Sequence, residues 1–277
     1  MKVTELENAP EWLKEATVQN EDVNIDNSNG NVIWKDGIWH NGTWEGGTWE
    51  DGMWKKGIWK KGTWKGGIWK YGEWKTGIWE NGLWVDGLWE NGIWHNGTWI
   101  DGEWWNGNWE DGTWKDGLWK NGAWEGGTWE TGFWQDGTWF EGRWKSGLWG
   151  GGYWRNGLWE NGSFFGGYWE DGKWLDGLWQ GGEWMNGTWK NGEWENGKWL
   201  NGTWENGVWI SGTWKDGVWE DGTWISGVWY RGTWKNGKCL SGVYPGTEGF
   251  EMVLDQKGGR LRKKITVRED NDPFADD

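Results

Sequence analysis

The sequence predicts an all-β chain, a single-chain parallel β-solenoid of five-residue units with inward ladders of Trp and Gly. Three observations carry that expectation. Every fifth residue from Trp34 to Tyr244 belongs to one aromatic register of 43 positions; Trp fills 40, and the exceptions are Phe164, Cys239 and Tyr244. Gly occupies all 42 positions from Gly37 to Gly242, each two residues before the next aromatic. The residue before Gly is Asn 14 times, Asp 11, Gly 6 and Ser 4, so each unit G-x-W-x-[N/D/G/S] closes on turn chemistry. A period of five matches neither helix nor flat strand, and Gly in every unit would cost a helix about 1 kcal/mol each. The residue after Gly is often Thr, Ile, Leu or Val, all compatible with a strand, and the residue after Trp is mostly Lys or Glu. The unit therefore reads as a three-residue strand, x-W-x, followed by a two-residue corner at which Asn, Asp and Gly accept positive φ.

Around this array of residues 34–244 the chain divides into three further parts. In the head, residues 1–33, PEWLKEA (10–16) reads as a short helix with Pro near its start. Trp12 and Leu13 are placed to cover the first coil, and ATVQNEDVNI (16–25) reads as a degraded strand unit. Residues 245–268 hold GFEMVLD and RLRKKITVR on either side of Lys257-Gly258-Gly259, the pattern of a hairpin that closes the last coil. Residues 269–277, EDNDPFADD, read as a disordered acidic tail in which Asp272, Pro273 and Phe274 form a possible docking motif.

Two chain paths satisfy the repeat. If each corner bends the same way, the chain winds into a solenoid. On this path it resembles pentapeptide-repeat proteins, whose unit sets a small residue two positions before a central apolar one. Gly37 and Trp39, Gly42 and Trp44, Gly47 and Trp49, and Gly52 and Trp54 match those positions, and the match continues to Gly232 and Trp234, about three quarters of the chain. The departures are Trp for Leu or Phe and Gly for Ala, roughly volume-conserving in sum. If each Asn-Gly is instead a hairpin turn, the chain zigzags as an antiparallel β-meander. That path resembles membrane-occupation-and-recognition-nexus (MORN) repeats in its G-x-W core, without their longer spacing and Tyr. Magnitude favours the solenoid. Forty indoles at about 150–250 Å² each amount to ~8,000 Å², whereas monomers expose apolar patches of at most ~600 Å². Coil shape stays open. Val208, Thr213, Val218, Thr223, Val228 and Thr233 beat at ten residues; Ile210-Ser211, Ile225-Ser226 and Leu240-Ser241 beat at fifteen, which suits a triangular coil.

Composition bounds the function. The chain carries 42 Trp at a mean hydropathy of −0.97, so its apolar mass lies in one residue type at one register. No run of apolar residues is long enough to span a membrane, and the N-terminus lacks the pattern of a secretory signal, so cytosolic synthesis is the expectation. The formal charge is −15, five of it from acids in 269–277, which argues against nucleic acid as a partner. Lys55, Lys56, Lys60, Lys61, Lys65, Lys70 and Lys75 interrupt that balance as a solvated basic belt. The single Cys239 sits in the aromatic register as a small apolar filler.

No catalytic, cofactor or metal set can be assembled. His40 and His95 are eleven units apart, each at the outward position after Trp. Asp before Gly exchanges freely with Asn and Gly, which speaks against calcium turns. The Asn-Gly-Thr sequons at Asn41, Asn96, Asn186 and Asn201 follow from the repeat itself. The expectation is a non-enzymatic, rigid repeat scaffold, a structural or protein-binding rod with a partner protein or surface. Short uniform aromatic–glycine repeats resemble phage and other virion-associated rods, which implies a spacer or adhesin attached through the head or residues 245–277. Two alternatives belong to other classes. One is an acidic DNA mimic that inhibits an enzyme such as a topoisomerase, as some pentapeptide-repeat proteins do. The other is a carbohydrate-binding aromatic platform, which requires the ladder to be open to solvent.

Overall fold

The computed structural model describes residues 3, 6, 8–25 and 31–240, and the backbone of two further strands, Phe250–Leu254 and Arg260–Lys264. The array is a parallel β-solenoid of fourteen coils with three sides. Each unit pairs in parallel with the unit fifteen residues on, as Trp44 with Trp59 and Trp59 with Trp74. The first face carries the column of Trp34 and Trp49, the second that of Trp39 and Trp54, the third that of Trp44 and Trp59. The antiparallel meander is thereby replaced by parallel stacking. The fifteen-residue beat is the spatial one, since Ile210, Ile225 and Leu240 follow ladder positions that stack in one column, Trp209, Trp224 and Cys239.

Strands are shorter than the sequence predicts. Most contain two residues, x-W, such as Thr63–Trp64 or Leu118–Trp119. The residue after Trp already begins the corner, yet its N–H still bonds to the coil below. Each unit gives the previous coil two backbone bonds: Thr63 N–H donates to Gly47 O at 2.9 Å, and Lys65 N–H to Trp49 O at 2.8 Å. These bonds set the coil rise, and the indoles follow it.

From Trp34 to Trp219 every ladder residue, Phe164 included, is fully buried. Rings stack along the axis with centroids 4.7–5.0 Å apart and planes 5–7° from parallel, as for Trp59 over Trp44 and Trp74 over Trp59. That spacing is the separation of paired strands. Within a coil the three rings meet edge to face, with Trp114 to Trp119 at 6.0 Å and 76°. Both arrangements suit the quadrupole of an aromatic ring, negative on its face and positive at its edge. Phe164 keeps the register with uneven spacing, 5.6 Å from Trp149 and 4.1 Å from Trp179.

The packing leaves 38 indole N–H groups buried without a hydrogen-bond acceptor. An unpaired buried donor costs about 1–3 kcal/mol. The Nε1 edge runs beside the corner glycines, as Trp129 Nε1 lies 3.3 Å from where a Cβ on Gly147 would stand.

Glycine is required at the corner for two reasons. At Gly132 φ is +120°, and a Cβ would stand 2.6 Å from Gly117 O in the coil below and 3.2 Å from Trp129 Cζ2. The residue before it has a different role from the one its turn propensity predicts. Asn20, in the head, is the one non-Gly residue with positive φ among those described. Asn and Asp are favoured at corners because the side-chain oxygen accepts the N–H of the next Gly, as Asp116 does from Gly117 at 2.7 Å and Asn156 from Gly157 at 2.8 Å. That N–H faces out of the ladder and needs an acceptor.

The first coil is covered. Helix α1 (Glu11–Lys14) starts after Pro10. Its Trp12 packs edge-on to Trp44 at 5.1 Å, and Leu13 is fully buried. Strand β1 (Thr17–Ile25) pairs antiparallel with β2 (Val32–Asn41), the long strand that serves the first two faces. It shields the open edge of the array, which unpaired strand edges require. Phe250–Leu254 and Arg260–Lys264 pair antiparallel, as a hairpin there requires.

Candidate functional site

The residues that define the repeat build the interior and leave chemistry to the outside. Trp39, Trp44, Trp49 and Trp54 are buried in the three columns. Gly37, Gly42, Gly47 and Gly52 lie at the corners with φ between +117° and +138°. An aromatic platform made of the ladder is incompatible with this burial. Asp272, Pro273 and Phe274 lie outside the described residues.

The outer surface is organised by the same fifteen-residue step. Acid–base pairs climb from coil to coil: Glu45 with Lys60 at 2.7 Å, Glu130 with Lys145 at 3.1 Å, Glu183 with Lys198 at 2.8 Å and Glu220 with Lys235 at 2.8 Å. All are largely open to solvent, so screening leaves them little weight in stability. Hydrogen bonds from Lys75 to Glu90 and Glu73, and from Lys198 to Glu183, raise the pKa of both ammonium groups. His95 pairs with Glu110 and His40 with Gln19, so the two histidines serve separate coils. Among the described residues no group of three or more His, Cys, Asp or Glu side chains converges as a metal site. No helix among them is long and apolar enough to cross a membrane.

A shallow groove lies on the second face beside Arg143, Leu158 and Lys173, and further relief lies on the third face. Its corner glycines form the floor of a shallow groove that recurs along the rod. One stretch runs beside Asn41, Lys56, Ile58, Tyr71 and Leu88. Another runs beside Glu103, Leu118, Phe133, Leu148 and Ser163, and a third beside Leu178 and Val208. Trp105 stands at this face, 41% exposed and outside the ladder. Its Nε1–H donates to Glu103 at 3.0 Å, and Lys120 sits 4.5 Å over its ring and 3.1 Å from Glu103. Those hydrogen bonds, the Trp105 bond first, hold the Glu103 carboxyl below its ordinary pKa. Tyr153 and Tyr168 stack on the first face at 5.0 Å. Sequence reasoning passed over these groups, although Trp105 carried a signal as the one array Trp outside the register.

Cys239 ends the third column above Trp224, and burial raises its thiol pKa. Trp229 in the last described coil is 8% exposed, and Val228, Tyr230 and Leu240 nearby are exposed. The described end of the array is thus more open than its capped beginning.

These features define a tryptophan-cored, three-sided parallel β-solenoid with a grooved third face and two unlike ends. Comparison with protein-family models, with curated proteins and with solved structures gave no match.

Proposed function

We propose that the chain is a non-catalytic rigid rod, a spacer or protein-binding scaffold of the kind carried by phage and other virions. The observation that supports this reading is the continuous aromatic stack from Trp34 to Trp224, indoles but for Phe164, which fills the interior of the described array. Fourteen coils at about 4.8 Å give a rod of about 65 Å. Each coil contacts only its neighbours, so length is set by repeat number and stiffness by the stack. The resemblance of the Gly37/Trp39 register to that of pentapeptide-repeat solenoids supports reading the chain as a Trp/Gly variant of them. Partners then meet the third-face groove or the two ends.

Two measurements test the proposal. Spin labels at exposed positions in the second and thirteenth coils should give one narrow distance; a broad distribution contradicts a rod. Titration into a topoisomerase supercoiling assay should leave the enzyme active. Inhibition that fades with salt would establish the acidic DNA mimic instead.

A further inference from the structure

The groove of the third face is acidic. Its three stretches are bordered by seven carboxylates and one lysine, Lys56. The groove of the second face is balanced, with Glu141 and Asp171 against Arg143 and Lys173. Two of the seven are answered from their own face, Glu73 by Lys75 at 3.2 Å and Glu103 by Lys120 at 3.1 Å. Asp86, Asp101 and Asp116 have no ion pair among the described residues; each accepts the N–H of the next Gly at 2.6–2.7 Å with one oxygen and keeps the other. They follow one another in a single corner column, Asp101 N–H donating to Val85 O at 3.1 Å and Asp116 N–H to Ile100 O at 3.0 Å. The residues before them are Val85, Ile100 and Lys115, so one base adjoins three acids. Among the described residues no other outward column sets three like charges in succession. Across the floor of Gly117, Gly132 and Gly147 stands the opposite wall, where Leu118, Phe133 and Leu148 stack in one column. Phe133 is 39% and Leu148 45% exposed. The groove thus has one acidic wall and one apolar wall.

The same chain carries a strand of matching pattern. Residues 257–268 hold six bases and no acid, and with the first strand of the hairpin, residues 250–268 set those six against Glu251 and Asp255. Arg260, Arg262, Lys264 and Arg268 alternate with Leu261, Ile265 and Val267. Alternate residues of a strand belong to opposite sides, so the sequence gives the segment a basic side and a largely apolar one. Arg260–Lys264 pairs with Phe250–Leu254 in a sheet of two strands. We propose that this basic strand of a second copy of the chain lies along the groove. Its bases face Asp86, Asp101 and Asp116, and Leu261 and Ile265 face the apolar wall. The four coil steps from Leu88 to Leu148 cover about 19 Å, the length of about six strand residues.

Reach favours a second copy over the chain's own groove. Trp119, beside the nearest of the three acids, and Cys239 stand in one column eight coils apart, about 38 Å at the strand spacing. The link from Leu240 to Phe250 spans at most about 36 Å even fully extended, and Lys264 stands opposite Phe250. Only a taut chain therefore brings its far turn to its own acid wall. In two rods laid antiparallel, each last coil stands beside the other's first, and the acid wall begins three coils further on, about 14 Å. Both strands then engage at once, and the pair closes as a symmetric dimer. This association holds whatever else the rod joins.

The test is sedimentation equilibrium of the full chain at low and high salt. The chain should dimerise at low salt, and the dissociation constant should rise at least tenfold as screening increases. Asp86→Asn, Asp101→Asn, Asp116→Asn removes the charge and keeps the corner acceptor, as Asn156 does for Gly157. That variant should keep its far-UV circular dichroism and dimerise at least tenfold more weakly. The reversal Arg260→Glu, Arg262→Glu, Lys264→Glu should do the same. Combined with Asp86→Lys, Asp101→Lys, Asp116→Lys, it should dimerise again; Lys56 already fills that corner column. A wild-type chain that stays monomeric at low salt, as strands seated on their own rods would leave it, overturns the proposal. So does a dimer indifferent to loss of the three aspartate charges.

Discussion

Alanine at two adjacent glycines should have opposite effects. Gly151 and Gly152 form one corner. Gly152 has φ +97°, and a Cβ there would stand 2.3 Å from Gly137 O and 2.8 Å from Gly137 N. Gly151 lies outside the positive-φ set, and its Cβ would meet only Gln135 O at 3.7 Å, an ordinary contact. Gly152→Ala carries about 1–3 kcal/mol of backbone strain. It must also lift one coil from the next, which weakens the bonds from Tyr153 N–H to Gly137 O at 2.9 Å and from Arg155 N–H to Trp139 O at 2.8 Å. At about 1 kcal/mol each, the total loss is about 3–5 kcal/mol. Gly151→Ala removes freedom from the unfolded chain alone and should stabilise by about 0.4–1 kcal/mol. Urea unfolding followed by far-UV circular dichroism reads both. Equal effects, or a tolerated Gly152→Ala, would refute the claim that corner glycines are dictated by the carbonyl of the coil below.

Three further outcomes are expected. Trp119→Ala should cost about 3–5 kcal/mol, and Trp119→Phe much less, because Phe164 already holds a ladder position; thermal unfolding of the two variants checks this. The folded pKa of Glu103 lies below its unfolded value, so its contribution is present above the unfolded pKa and is lost as pH falls through the folded one. Carboxyl NMR titration should show that pKa rising towards the ordinary carboxylate range in Trp105→Phe; an unchanged value would remove Trp105 as the first cause. The Cys239 thiol should react slowly with a disulfide reagent at neutral pH and faster as pH rises through its elevated pKa; rapid labelling at pH 7 would place it outside the stack.

Much of the architecture was legible because Trp and Gly each answer to one demand. A ladder of 40 indoles cannot stay in water, and a corner with positive φ tight against a carbonyl admits only Gly. The number of sides was less legible, since a period of five fits any polygon. Val208, Thr213 and Val218 alternate in sequence yet fall on the third, first and second faces, so their beat matches no column. Strand length escaped because the residue after Trp bonds like a strand and bends like a corner. The preference for Asp116 or Asn156 looked like turn propensity, and its cause, the Gly N–H at hydrogen-bond distance, appears only in three dimensions. The grooved third face depends on which residues meet every fifteen positions, which the linear repeat conceals.

Acrylamide quenching of tryptophan emission tests the closed indole core most directly. Of 42 Trp, Trp105 is the exposed one among the described residues, so quenching should reach a small fraction of the emission and fall further in Trp105→Phe. The remaining emission should be blue-shifted and protected. Red emission quenched across the whole population would put the rings in water and contradict the three-sided tube.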